Sequence, residues 1–176
     1  FSDSSQFSMG INGAIGNRNA MAIVNLGYSQ YFFWDGREES LEDQALKPVV
    51  NPIEMNTTWP LVLNKLNSDT YYREQFKIAF GVDVIDSFDV AKAIGQFERT
   101  MLSGNSKFDQ NFNGIIPLSD SETRGLVIFN TEKGDCFHCH GTILLQGFEF
   151  ENNGVQQVME DIGRGGVTNL STDIGK

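Results

Sequence analysis

"GDCFHCHG", residues 134–141, holds both cysteines and both histidines of the chain. Three chemistries compete for such a cluster. A tetrahedral zinc centre takes four ligands, ordinarily as two separated pairs. No second pair exists here, so Asp or Glu would have to complete the shell. A thioredoxin-like redox pair needs a βαβ setting and has no use for a histidine directly after the second cysteine. Covalent attachment of haem c uses every part. Cys136 and Cys139 lie one helical turn apart and can each form a thioether to a haem vinyl group, and His140 stands where it can ligate the iron. His138 then reads as a spacer turned away from the iron. From the cluster alone haem c leads, with zinc and a thiol redox role open behind it. Thioether formation needs reduced thiols and an apparatus outside the bacterial cytoplasm, which fits a chain with no cysteine left over for disulfides.

Working outward, Ser119 and Glu122 form a capping-box pattern for a helix over "SETRGLVIFN" just before the cluster. The preceding "GNSKFDQNFNGIIPLS" (104–119) is polar and turn-rich and reads as a domain boundary. In "DSFDVAKAIGQFERTMLSG", Val90, Ile94, Phe97 and Met101 recur at three- and four-residue spacing, predicting an amphipathic helix with that stripe inward and Gly104 as its end. "SDTYYREQFKIAFG" predicts a helix with Phe76 and Phe80 on one face and Gly81 as its stop. Thr58 and Pro60 mark a helix start in "TTWPLVLNKLN". Ser40 caps "LEDQALKP", with Asp43 three residues on and Pro48 closing it. "YFFWDGREES" is an aromatic cluster followed by a turn. "NAMAIVNL" (19–26) fits a short buried helix or a strand, and residues 1–20 read as loop. Beyond the cluster, 141–176 are rich in glycine with little periodicity. The expectation is an all-α chain with long loops and no internal repeat.

Composition narrows the class. With 176 residues, 40% hydrophobic and 20% charged, the chain is globular and suits one or two small domains. No apolar run approaches the roughly 18 residues of a membrane span. A net charge of −10 and a pI near 4.5 argue against a nucleic-acid surface, which needs clustered Lys and Arg. The carboxylates are spread along the chain, so they read as solubilising charge rather than as a patch that steers a basic partner. The sequence begins at Phe1 without a signal peptide, which reads as a mature or trimmed piece of a longer protein.

"RNAMAIVNLGYSQYFFWDGREESLEDQALKPVVNPIEM" (18–55) resembles the bacterial dihaem cytochrome c peroxidases and their MauG-type relatives. The shared pattern runs Arg-Asn, Phe-Trp-Asp-Gly-Arg, Ser-Leu-x-x-Gln-Ala and Asn-Pro-x-Glu-Met. "AIGQFERTMLSGNSKFDQ" (93–110), "RGLVIFNTEKGDCFHCHG" (124–141) and "DIGRGGVT" (161–168) continue it in order, so the likeness covers nearly the whole chain. It implies two cytochrome-c-like helical haem domains, incomplete here at both ends. Residues 1–107 would be the remainder of the N-terminal, peroxide-reacting haem domain. Residues 108–176 would be the first part of the C-terminal electron-transfer domain. The first C-x-x-C-H is expected before Phe1 and the second axial ligand, usually Met, after Lys176.

The resemblance also assigns roles. Trp34 matches the tryptophan between the two haems, where a large π system relays an electron; an ordinary buried core Trp is the alternative. Glu54 matches the acid–base carboxylate over the peroxide-reacting haem, which moves a proton from one peroxide oxygen to the other. A solvated loop Glu is its alternative. Gln44 matches a glutamine lining the same pocket, against an exposed helix Gln. Asn19 matches a ligand of a calcium ion between the domains, calcium taking oxygen donors; other ligands of that ion come from beyond Lys176. Arg37 and Arg164 are candidates to pair with haem propionates, since the guanidinium presents a planar fork to carboxylates. Several relatives carry a distal His before Arg-Asn, whereas residues 1–17 contain none. Either that haem is open, or a residue such as Met9 approaches it. Met159 is a weak axial-ligand candidate, and Met101 reads as core.

The implied activity is reduction of hydrogen peroxide to water, with electrons from a small c-type cytochrome or cupredoxin, in the bacterial periplasm. The implied cofactors are haem c, one covalent site in this chain and two in the family, and calcium. A homodimer is compatible with this reading. Two rivals are a MauG-type enzyme oxidising a protein or organic substrate and a single-haem electron carrier without catalysis. A zinc-binding module is the third.

Overall fold

A computed structural model describes residues 3–176, which form two compact units, one ending at Leu102 and the other covering Ser103–Lys176. The first contains helices α1 (Leu41–Val50), α2 (Trp59–Ser68), α3 (Thr70–Phe80) and α4 (Ser87–Arg99). The second contains α5 (Lys107–Phe112), α6 (Asp120–Phe129), α7 (Phe137–His140) and α8 (Gly165–Thr168). Among the described residues there is no β-strand, only isolated bridges pairing Met9 with Ile15 and Phe32 with Glu38. The chain is all-α with long loops, as its sequence predicts. No described helix is long and apolar enough to cross a membrane.

In the first unit the Ser40 hydroxyl accepts the Asp43 amide at 3.0 Å and starts α1. Pro48 does not end this helix, contrary to expectation. A proline removes one N–H, but in the last turn the loss is local. Asn51 still closes onto the Lys47 carbonyl at 3.2 Å. The chain then doubles back, with Met55 donating to the Pro48 carbonyl and Thr57 to the Val49 carbonyl. That return places Glu54 beside the end of α1.

Helix α4 starts from a capping box between Asp86 and Asp89 and packs on α1. The buried face is built from Ala91 and Gly95, set against Leu41, Ala45 and Val49. This corrects the expected stripe. Phe97 is 64% exposed and Ile94 37%. Small residues let the two helices approach closely, so the inward face is the one with the least side chain, not the one with the most. The helix ends at Arg99 with Thr100 as its cap, short of Gly104. Met101 lies past it, half-buried, its carbonyl accepting the Asn25 amide at 2.8 Å.

Thr58 and Pro60 open α2, although the Thr58 side chain makes no capping bond. Asp69 caps α3 through the Tyr71 amide at 2.8 Å, and Gly81 stops it at φ 73°. Asn67 reaches from α2 to the loop before α4. Its amide accepts the Ile85 N–H and donates to the Ile85 carbonyl, both at 2.9 Å, which pins a side chain only 2% exposed. Residues 19–25 are neither helix nor strand. They run irregularly into a 3-10 turn, Leu26–Tyr28, after a left-handed Asn25.

The second unit is differently built. Ser106 with Asp109 and Ser119 with Glu122 form capping boxes that start α5 and α6, the latter as predicted. Gly165 is its one fully buried residue, so no side chain of this unit is fully buried. Val127, Ile128, Ile143 and Leu145 are exposed. A unit this small gains too little from such packing to stand on its protein contacts alone.

Candidate functional site

The Cys/His helix is set by two close backbone approaches. A side chain on Gly134 would meet the Ile128 carbonyl oxygen at 2.3 Å, and one on Gly147 the Cys139 carbonyl at 2.6 Å. Asp135 follows in the left-handed region at φ 55°. Cys136 is half-buried and Cys139 exposed, and both thiols are free. The His140 Nδ1 lies 2.8 Å from the Leu145 carbonyl oxygen. A carbonyl only accepts, so Nδ1 carries the proton and the lone pair is on Nε2. This orienting bond is the kind that metal-ligating imidazoles make. His138 turns instead to Asp135, with Nδ1 2.5 Å from the carboxylate and its ring against Phe137.

The donor set and its surroundings fit haem c. The helix offers two thiols and an oriented imidazole, and the imidazole adjoins two walls of an apolar cleft of about 340 Å³ lined by Phe108, Leu118, Leu126, Phe129 and Leu145, with Lys107 and Glu122 as its charged walls. Phe129 and Leu145 both adjoin His140, the ring centroids of Phe129 and His140 being 6.4 Å apart. Zinc chemistry fits less well. Among the described residues, the side chains whose ligand atoms converge are Glu132, Asp135 and His138, all exposed, and neither cysteine joins them.

The first unit holds a second site, a cavity of about 600 Å³. Trp34, Gln44 and Glu54, far apart in sequence, all line it, as do Asn19, Arg37 and Met9. Trp34 is 56% exposed, so it is not a core tryptophan, and its indole N–H donates to the Asn19 carbonyl at 2.8 Å. Gln44 sits half-buried on α1, and Glu54 is half-buried in the returning chain. The Glu54 carbonyl accepts the Ile11 amide at 2.9 Å, which ties it to the N-terminal loop. Met9 is 67% exposed at the cavity. The Asn19 amide nitrogen donates to the Asp3 carboxylate at 2.8 Å and to the Ser5 carbonyl.

Three lining residues, Arg18, Asp35 and Glu98, have no role assigned from the sequence. Asp35, 7% exposed, is gripped by Arg18 at 2.6 Å and by Arg37 through both oxygens at 3.0 and 2.9 Å. Burial alone would push its carboxyl up, but hydrogen bonds and charge from the two arginines outweigh it and hold the group below the usual carboxylate range. In the sequence the Asp-Gly pair reads as a turn and as part of the Phe-Trp-Asp-Gly-Arg pattern, without a role for the carboxylate. The Arg18–Asp35–Arg37 trio carries net positive charge at the cavity, with the Arg37 guanidinium 3.4 Å over the Phe33 ring. Glu98 also lines the cavity, and on α4 nothing but its helical position marked it. Arg164 stands elsewhere, in the second unit, 4.4 Å over Phe150. Met159 there packs its sulfur against Asn152 and Gly175.

The family model for di-haem cytochrome c peroxidase matches residues 1–115. The chain is 33% identical to cytochrome c peroxidase Ccp of Escherichia coli K12, over 97% of its own length and 38% of that protein's. It is 35% identical to methylamine utilization protein MauG of Methylorubrum extorquens, over 84% of its length and 42% of that protein's. A solved MauG-like protein associated with microbial copper homeostasis superposes with a TM-score of 0.86 at 26% identity, covering 99% of this chain and 57% of that one. The chain thus spans about two fifths of the curated relatives it matches. The likeness runs through the residues that build the cavity and on through the Cys/His helix, and the chain belongs to the di-haem cytochrome c peroxidase family.

Proposed function

We propose that this chain is part of a dihaem c-type peroxidase that reduces hydrogen peroxide to water with electrons from a small c-type cytochrome or cupredoxin, in the periplasm. The observation that carries the reading is the single cavity that gathers Trp34, Gln44 and Glu54 with the Arg18–Asp35–Arg37 trio. Residues 1–107 belong to the peroxide-reacting domain and 108–176 to the electron-entry domain. Cys136 and Cys139 would hold haem c by thioethers, with His140 Nε2 as the iron ligand, and the group would supply the one-electron chemistry that side chains lack. In the cavity Glu54 takes a proton from one peroxide oxygen and returns it to the other, while Gln44 orients the substrate by hydrogen bonding. The positive arginines suit haem carboxylates. Trp34 gives an electron a stepping stone out of the cavity. Asn19, which the family pattern matches to a calcium ligand, would contribute its side-chain oxygen to that site.

The rival within the family is a MauG-type oxidase of a protein or organic substrate, favoured by the close superposition on a MauG-like structure. The deciding experiment uses the full-length, haem-loaded protein. Peroxide consumption coupled to oxidation of reduced cytochrome c or cupredoxin is the expected result. Haem that washes off on denaturation, or haem mass unaffected by Cys136→Ala and Cys139→Ala, would contradict the attachment. Oxidation of an organic substrate with no donor-coupled peroxide reduction would favour the rival.

A further inference from the structure

Reduction of one peroxide to two waters breaks one O–O bond and takes up two electrons and two protons. Glu54 moving a proton between the two peroxide oxygens adds none. The electrons come from the small redox protein, and the protons must come through the cavity wall. A wall that performs this reaction needs a group that stores a proton and is not already committed to a counter-charge.

The cavity contains one such group. Glu98 lines it from α4, and its Oε2 is buried without a hydrogen-bond partner. The neighbouring guanidinium is engaged elsewhere, because Arg99 forks onto Glu42 of α1 at 2.7 and 3.1 Å. Gly95 permits this fork, since a β-carbon there would lie 3.0 Å from both the Glu42 Oε1 and an Arg99 nitrogen. The other charged groups around the cavity are Arg18, Asp35, Arg37 and Glu54. Asp35 is neutralised by its two arginines. A buried carboxyl oxygen with no donor is costly when ionised and tolerable when it carries a proton.

We propose that Glu98 is the second proton carrier of this cavity, holding a proton in the resting protein, releasing it as peroxide is reduced and reloading from solvent, so that two such deliveries supply the two protons of each turnover. The inference rests on the peroxidase reading above. Electrostatics agree in direction. Burial pushes the Glu98 carboxyl up, Arg99 pulls it down and Glu42 pushes it up again, with a net rise. Glu98 is placed to act through the cavity, so it is a positioning and supply group rather than one that touches the reacting atoms.

The test uses the full-length, haem-loaded protein as parent, Glu98→Gln and Glu98→Asp. Infrared difference spectra near neutral pH should show a protonated-carboxyl C=O band in the parent that Glu98→Gln lacks. The pH profile of peroxide turnover should fall on its alkaline side in the parent as this proton is lost. Glu98→Gln should lose that limb, and Glu98→Asp should restore it at a shifted pH. A resting protein without the band overturns the proposal whatever its activity. A parent with both the band and turnover, but an unchanged pH profile in Glu98→Gln, overturns the delivery step. A parent with the band that consumes no peroxide overturns the peroxidase reading, and the delivery step with it.

Discussion

The Trp34 indole nitrogen donates a 2.8 Å hydrogen bond to the Asn19 backbone carbonyl, joining the residue matched to electron relay with the residue matched to calcium binding. The bond fixes the angle of a ring that is more than half exposed at the cavity. Trp34→Phe keeps a π face but removes the donor. In the complete haem-loaded protein it should retain both haems and slow electron transfer between them. The stability loss should be small, about 0.5–1.5 kcal/mol for one such bond. Flash-photolysis or stopped-flow electron transfer checks this, and equal rates in mutant and parent would remove Trp34 from the relay.

Gly95 lets α1 and α4 approach. Gly95→Ala should be near neutral in denaturant unfolding, because the atoms its Cβ meets are the movable ends of Glu42 and Arg99, while the helix gains about 1 kcal/mol of propensity. Gly95→Leu has no such escape and should lose roughly 1–3 kcal/mol to overpacking. A leucine variant as stable as the parent would show that this packing is looser than described.

Glu122 closes the cap of α6 and pairs with Lys107 at 2.6 Å. The Lys107 hydrogen bond, followed by those from the Ser119 amide and hydroxyl, lowers its carboxyl to about 2. A depressed carboxyl contributes stability that is present above its ordinary range and is lost as pH falls toward about 2. Lys107→Met should therefore raise the Glu122 midpoint in an NMR titration and start the acid-induced loss of α6 at higher pH. An unmoved midpoint would assign the shift to the cap alone.

Much of this was readable in the chain because local chemistry decided it. Ser40 and Ser119 start helices by hydrogen bonds, and Gly81 stops one with a left-handed backbone, all of which depend on a few adjacent residues. Family motifs pointed to Trp34, Gln44 and Glu54, and the fold brings them to one cavity. What periodicity missed was tertiary. The α4 stripe of Val90, Ile94 and Phe97 has the right spacing, yet the neighbouring helix selects Ala91 and Gly95 for their small size. Asp35 looked like a turn residue because its two arginine partners, one of them 17 positions away, converge on it only in the folded chain. Glu98 became visible only once Arg99 was seen to turn to Glu42.

The central claim is that the cavity cleaves peroxide with Glu54 as its acid–base group. Glu54→Gln is nearly isosteric, so folding and haem content should be unchanged. It keeps hydrogen bonding but cannot carry the proton. Stopped-flow decay of the reduced haem after mixing the full-length protein with peroxide is the direct measurement. The account predicts a fall of about 10²- to 10⁴-fold in that rate, the usual worth of a positioned acid–base group. A variant that turns over within about threefold of the parent, far below that range, would contradict it.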